Sequence, residues 1–155
     1  MVEPKIVHLE ELFLVGLPFY GEPPRFGETW MRFMKMAEKI TNRINPTQEY
    51  GVEIYGPEMD QMHQWTYLPS RAVSDLMHIP EFMFGTRLPA SDYAVFTVTG
   101  KLARIHDVFM YAYHEWIPAS KYEVAFPFDF ELYDERFHGD VDDSILDLYI
   151  PIIAR

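Results

Sequence analysis

The stretch Phe128-Asp129-Phe130-Glu131-Leu132-Tyr133 alternates large apolar residues with two acids and a phenol. Successive side chains of a β-strand point to opposite faces, so this spacing predicts a strand with a greasy face, Phe128, Phe130 and Leu132, and a polar face carrying Asp129, Glu131 and Tyr133. The last strand behaves alike: Leu146, Leu148 and Ile150 alternate with Asp147 and Tyr149. The same grammar occurs earlier in the chain, where Val52 and Ile54 alternate with Glu53 and Tyr55, and Leu68 with Trp65 and Tyr67.

The two occurrences are related by a nearly constant offset. Glu53-Ile54-Tyr55 and Glu131-Leu132-Tyr133 stand 78 apart (131 − 53), and Tyr67-Leu68-Pro69 and Tyr149-Ile150-Pro151 stand 82 apart (149 − 67). Upstream, Leu14-Val15-Gly16-Leu17-Pro18-Phe19-Tyr20-Gly21 parallels Tyr93-Ala94-Val95-Phe96-Thr97-Val98-Thr99-Gly100 at 79 (100 − 21). Self-similarity at half the chain length predicts two related halves, about 4–74 and 82–154, joined near 75–89 within a single domain spanning 1–155.

Between the matched strands each half carries a helical stripe. Trp30, Phe33, Met34, Ala37, Ile40 and Ile44 form one, stopped by Asn45-Pro46; Leu102, Ile105, Phe109, Ala112, Tyr113 and Trp116 form the other, stopped by Ile117-Pro118. The expected fold is therefore α+β: two pseudo-symmetric strand-helix-strand-strand repeats forming an antiparallel sheet, with a ligand cleft between the halves. Amphipathic helices need apolar sheet surface, so they are expected over Phe128, Phe130 and Leu132. That leaves Glu53, Tyr55, Trp65, Tyr67, Glu131, Tyr133 and Tyr149 on the opposite face, lining an aromatic, acid-containing concavity of the sort that takes ligands.

Composition narrows the function classes. The chain has 155 residues, no cysteine and a formal net charge of -11. The absence of cysteine removes disulfides, thiolate zinc sites and cysteine nucleophiles and fits a reducing, cytoplasmic setting. No apolar run approaches the roughly 18 residues of a membrane helix, so no membrane partner is expected. The acidic balance repels nucleic-acid backbones and attracts cationic ligands or a basic protein patch. The six histidines form no HExxH pair, so no metal is expected, and no dinucleotide or phosphate-loop fingerprint calls for a cofactor.

Taken together, these strings resemble the GyrI-like family, the effector-binding domain of multidrug-responsive transcription regulators. The resemblance is carried by Val15-Gly16-Leu17, Tyr50-Gly51-Val52-Glu53-Ile54-Tyr55-Gly56, Tyr93 to Gly100, Trp116-Ile117-Pro118, Phe130-Glu131-Leu132-Tyr133-Asp134 and Leu148-Tyr149-Ile150-Pro151-Ile152. It runs nearly end to end. It implies binding of flat, lipophilic, preferably cationic small molecules, with a glutamate at the position of Glu131 facing them. Glu131, Tyr133, Tyr149, Tyr55, Glu53, Trp65, Tyr67, Trp116 and the flexible thioether of Met83 are the expected ligand-binding residues. Because the halves consume all 155 residues, a standalone member without a helix-turn-helix segment is expected.

The resemblance also implies an alternative. Some GyrI-like proteins are hydrolases that open the cyclopropane of DNA-alkylating natural products; Glu131 would then activate water and Tyr133 would stabilise the developing charge. A further alternative is an acidic protein that meets gyrase or another basic partner, and a homodimer is compatible with the same surface.

Overall fold

The computed structural model describes residues 3–21, 25–57 and 59–155. Its elements run β1 (Lys5–Leu9), β2 (Leu12–Gly16), β3 (Phe19–Gly21), α1 (Phe26–Met36), β4 (Glu49–Ile54), α2 (Met59–Met62), β5 (Trp65–Val73), β6 (Phe84–Leu88), β7 (Ser91–Thr99), α3 (Ala103–Tyr111), α4 (Ile117–Ala119), β8 (Tyr122–Val124), β9 (Phe128–Tyr133) and β10 (Ile145–Ala154). The ten strands form one antiparallel sheet in the order β1-β7-β10-β9-β4-β5-β2-β6, with β3 beside β5 and β8 beside β10. The α+β duplication predicted from the sequence is present.

Its centre is the β4–β9 pair. Gly51 lies opposite Glu131 and Glu53 opposite Asp129, so an offset of 78 turns one pair into the other, as a pseudo-twofold axis between these strands requires. On the next strands out, Glu53 pairs with Tyr67 whereas Glu131 pairs with Leu148. The equivalence there is Tyr67 with Leu148, an offset of 81 and not the 82 inferred from the Tyr-x-Pro strings. A one-residue slip moves a side chain to the other face of the sheet.

The helices sit on the face opposite to the one expected. Trp30 of α1 donates to the Tyr67 hydroxyl (2.9 Å), and Tyr113, just beyond α3, donates to Asp129 (2.7 Å). Both are on the acidic side. The greasy face needs no helix because the sheet curls over it. Two-residue links, Glu10-Glu11 and Pro89-Ala90, join strands from opposite ends of the strand order. Each link spans only about 10 Å at most. Leu14 and Leu88 from one end thus share a core with Tyr93 and Val95 from the other, over Val52, Phe130 and Leu132. On the helix face the apolar surface lies in two flanking blocks: Phe33 and Ala37 cover Val15 and Val73, while Val108 and Ala112 cover Phe96, Leu146, Leu148 and Ile150. The central acids fall in the gap between blocks.

Both helices also end differently from expectation. The first passes into a single tight turn at Ala37–Lys39 and stops, because Ile40 is extended (φ -77, ψ 115); Ile44 lies beyond it, half exposed. The second does not stop at Pro118: a π turn over Ala112–Trp116 leads into α4, with proline inside that last turn. The segment joining the halves contributes a strand of its own, β6, which pairs with β2.

Candidate functional site

Three carboxylates meet at the centre of the helix face. One oxygen from each of Glu53, Asp129 and Glu131 lies within 4.8 Å of the others, and the residues are 6%, 0% and 3% exposed. Their convergence follows from alternation and register. Asp129 and Glu131 are two apart on β9, and Glu53 is the direct cross-strand neighbour of Asp129. Among the described residues no lysine, arginine or histidine hydrogen-bonds or ion-pairs with any of them; the nearby arginines are engaged elsewhere, Arg43 and Arg71 with Glu49, Arg136 with Asp134 and Asp147.

Tyrosines supply the partners. Tyr55 and Tyr113 both donate to Asp129 Oδ2 (2.8 and 2.7 Å), and Tyr55 also reaches Glu53 Oε2 at 3.3 Å. Tyr133 and Tyr67 both donate to Glu131 Oε1 (2.9 and 3.2 Å). The other oxygens, Asp129 Oδ1 and Glu131 Oε2, are buried and meet no hydroxyl, amide or basic donor among the described residues. The π turn after α3 carries Tyr113 to its acid, and such bulges recur at functional sites. Gly51 has a comparable local role, since a Cβ there would lie 2.2 Å from the Tyr67 hydroxyl; its absence lets that hydroxyl cross β4 toward Glu131.

Aromatic rings complete the walls. Phe26 stacks on Tyr67 at 4.0 Å and meets Trp65 edge-on at 6.0 Å. Trp30 meets Tyr133 at 5.4 Å, and Tyr55 lies 6.0 Å from Trp65.

The electrostatics follow from burial. Burial pushes the Glu131 carboxyl up to about 7; the Asp129 charge adds to the rise, and hydrogen bonds from Glu53, Tyr133 and Tyr67 oppose it. Glu53 is raised well above its ordinary range by burial first and the Glu131 charge second. Asp129 is raised by burial and the Glu53 charge, against its two tyrosine donors. Like charges a few ångströms apart cannot all ionise, so protons are shared among the acids. A hard dication takes six or more oxygens, whereas here the carboxylates are surrounded by phenols and rings.

Of the residues expected to bind ligand, Glu53, Tyr55, Trp65, Tyr67, Glu131 and Tyr133 are brought together. Three are not. Tyr149 belongs to the opposite face because of the register slip: it stacks on Phe130 at 4.6 Å and lines a separate cavity of about 410 Å³ with Tyr50 and Leu132. Trp116 packs outside the site, against Phe96 and Tyr122, and donates to Glu3. Met83 is a buried core residue beside Val15 and Phe33, not a rim residue. Conversely, Asp129, Tyr113, Trp30 and Phe26 belong to the site without being among the expected ligand-binding residues. The alternation places Asp129 beside Glu131; Trp30 and Tyr113 fit the helix stripes, and from them Tyr113 donates to Asp129 while Trp30 donates to the Tyr67 hydroxyl.

A duplicated antiparallel sheet whose two helices part over a ring-lined, acidic centre is the architecture of a GyrI-like effector-binding domain. The chain belongs to the Cass2 family of integron-associated effector binding proteins, whose profile matches residues 5–152. It is 32% identical over 151 residues to the transcriptional regulator BrlR of Pseudomonas aeruginosa, covering 96% of this chain and 54% of BrlR, so it spans about half the length of that relative. Its fold is shared with SAV2435 bound to tetraphenylphosphonium (TM-score 0.77, 18% identity, 98% of this chain and 94% of that one). The integron cassette protein VCH_CASS2 of Vibrio cholerae has it too (TM-score 0.67, 15% identity, 97% and 96%). No helix among the described residues is long and apolar enough to cross a membrane.

Proposed function

We propose that this chain binds lipophilic aromatic cations in the gap between α1 and α3, with the Glu53–Asp129–Glu131 cluster as counter-charge. One observation carries the reading: three buried carboxylates share a centre, and among the described residues no basic side chain pairs with them. A buried charge is strongly disfavoured unless paired, and a delocalised cation supplies the pair while ring faces add cation–π attraction of about 0.5–2 kcal/mol each. The tetraphenylphosphonium held by SAV2435, which shares the fold, supports the same ligand chemistry. Calorimetric titration with tetraphenylphosphonium and with neutral triphenylphosphine oxide tests it. Saturable binding of the cation with much weaker binding of the neutral compound is expected; equal affinities would overturn the counter-charge reading.

A second reading, hydrolysis of a strained ring, is favoured by the Glu131 carboxyl standing at about 7, where a general base operates best at neutral pH. It expects protein-dependent ring opening of a cyclopropane alkylator by the wild type and a 10²–10⁴-fold slower reaction in Glu131→Gln. An intact substrate after many hours with stoichiometric protein would remove it.

A further inference from the structure

Asp129 and Glu131 share an asymmetry that bears on which cations fit. In each carboxylate one oxygen accepts two tyrosine hydroxyls and the other, Oδ1 or Oε2, is buried without a hydroxyl, amide or basic donor among the described residues; the Glu53 carboxyl meets Glu131 only while it holds a shared proton, which a bound cation displaces. Both residues are more than nine-tenths buried. Among the described wall residues one donor is left over, the buried Trp65 Nε1, and it serves Glu53; the remaining oxygens of Asp129 and Glu131 call for donors carried in by a ligand. An unmet buried acceptor is costly, and a charged donor relieves it more than a neutral one.

Resting on the cation-binding reading above, we infer that the site is specific for aromatic cations that also donate at least two N–H bonds, an aryl amidinium or guanidinium, over quaternary cations of equal charge and size. A quaternary ammonium or phosphonium satisfies the charge and the rings but leaves both oxygens without hydrogen bonds. An amidinium is planar and delocalised, so it suits a ring-lined slot, and its nitrogens present a fixed fork of donors. One oxygen from each of the three acids lies within 4.8 Å of the others, so a single fork can serve two carboxylates. Glu53, which carries a 3.3 Å bond from Tyr55, completes the negative surroundings. Neutral aromatic amides carry the donors without the charge and rank last.

The test compares three biphenyl compounds on the wild-type chain by calorimetry at neutral pH: 4-phenylbenzamidine, its trimethylammonium counterpart and 4-phenylbenzamide. The amidine is expected to bind roughly tenfold to a hundredfold more tightly than the quaternary cation, and the amide more weakly than both. Asp129→Asn, which keeps the side chain's shape, is expected to narrow the gap between the two cations while lowering the affinity of both. Equal affinity of the two cations, each well above the amide, would overturn the donor requirement and leave cation binding standing. Failure of both cations to exceed the amide would overturn the cation reading and this inference together. The ligand series needs no variant, so a folding defect in Asp129→Asn leaves the decision intact.

Discussion

The two halves place the same pair of residues on their inner strands, Glu53 with Tyr55 and Glu131 with Tyr133, and differ in what surrounds them. Half two adds a third acid, Asp129, where half one has Gly51; half one adds Tyr67, where half two has Leu148. The differences are complementary. Missing a side chain at residue 51 admits the Tyr67 hydroxyl, which crosses the pseudo-axis to the glutamate of the other half. The carboxylate of Asp129 lies beside Glu53 and takes hydroxyls from Tyr55 and Tyr113. A duplicated sheet has thus become an asymmetric site, with half one supplying a hydroxyl to each acid of half two.

The largest effect should come from restoring a side chain at the asymmetric position. In Gly51→Ala the new Cβ meets the Tyr67 hydroxyl at 2.2 Å and its ring at 2.9 Å, and that ring is 1% exposed. Overpacking of this kind costs about 1–3 kcal/mol, visible as a lowered Tm in thermal unfolding. Tyr67→Phe in the same chain removes the nearest atom and should return part of the loss; no return would mean that the strands, not the hydroxyl, reject the methyl group.

Exchanging the matched glutamates one at a time sharpens the comparison further. Glu131→Gln should weaken tetraphenylphosphonium by roughly 1–3 kcal/mol, since a charge paired in a desolvated site is lost, and should leave a neutral aromatic ligand nearly unchanged. Glu53→Gln should lose less, because Asp129 still stands beside it. Equal losses on cation and neutral ligand would mark Glu131 as structural.

The shared protons make stability depend on pH. Glu131 titrates at about 7 in the fold against an ordinary value of 4.5, and Glu53 and Asp129 are raised as well. The folded chain therefore holds more protons than the unfolded chain between these values. Stability is full below about pH 4.5 as far as these groups are concerned and falls as pH rises through about 7. The ligand-free Tm should drop over that window, a tightly bound cation should offset the drop, and Asp129→Asn should flatten it. His8 is raised by its bond to Asp92 and contributes a decline of the same sign, so His8→Gln is the control.

Much of this could be read in the sequence. Period-2 alternation at Phe128–Tyr133 and the offset of 78 located the central strands and both glutamates, because alternation and pairing are local and rigid. The choice of helix face was not legible: it depends on two-residue links that bend the sheet over its own greasy side, and a link's partners at opposite ends of a sheet leave no local trace. Asp129 stands on the same face as Glu131 but breaks the repeat, its counterpart being Gly51, so matched residues alone do not point to it. Tyr113 reaches its acid only through a π turn, whose extra residue a 3.6-residue period hides. Met83 looked like loop and is core because the joining segment turns back beneath α1.

The smallest effect expected is at Tyr149, where the sequence repeat and the strand register disagree. If the Tyr-x-Pro strings were structurally equivalent, Tyr149→Phe would remove a hydroxyl from the acidic cleft and weaken a cation as Tyr67→Phe should, by about 1 kcal/mol. The register instead makes Leu148 the counterpart of Tyr67 and sends Tyr149 to the far face, stacked on Phe130. Its hydroxyl is therefore separated from the acids by the sheet itself. Tyr149→Phe should shift the affinity for tetraphenylphosphonium by less than about 0.5 kcal/mol, the range of substitutions away from a site, while Tyr67→Phe leaves Glu131 with one donor fewer. A loss at residue 149 equal to that at residue 67 would show that the last strand pairs one residue out of this register, and would return the two halves to the closer symmetry that their sequences imply.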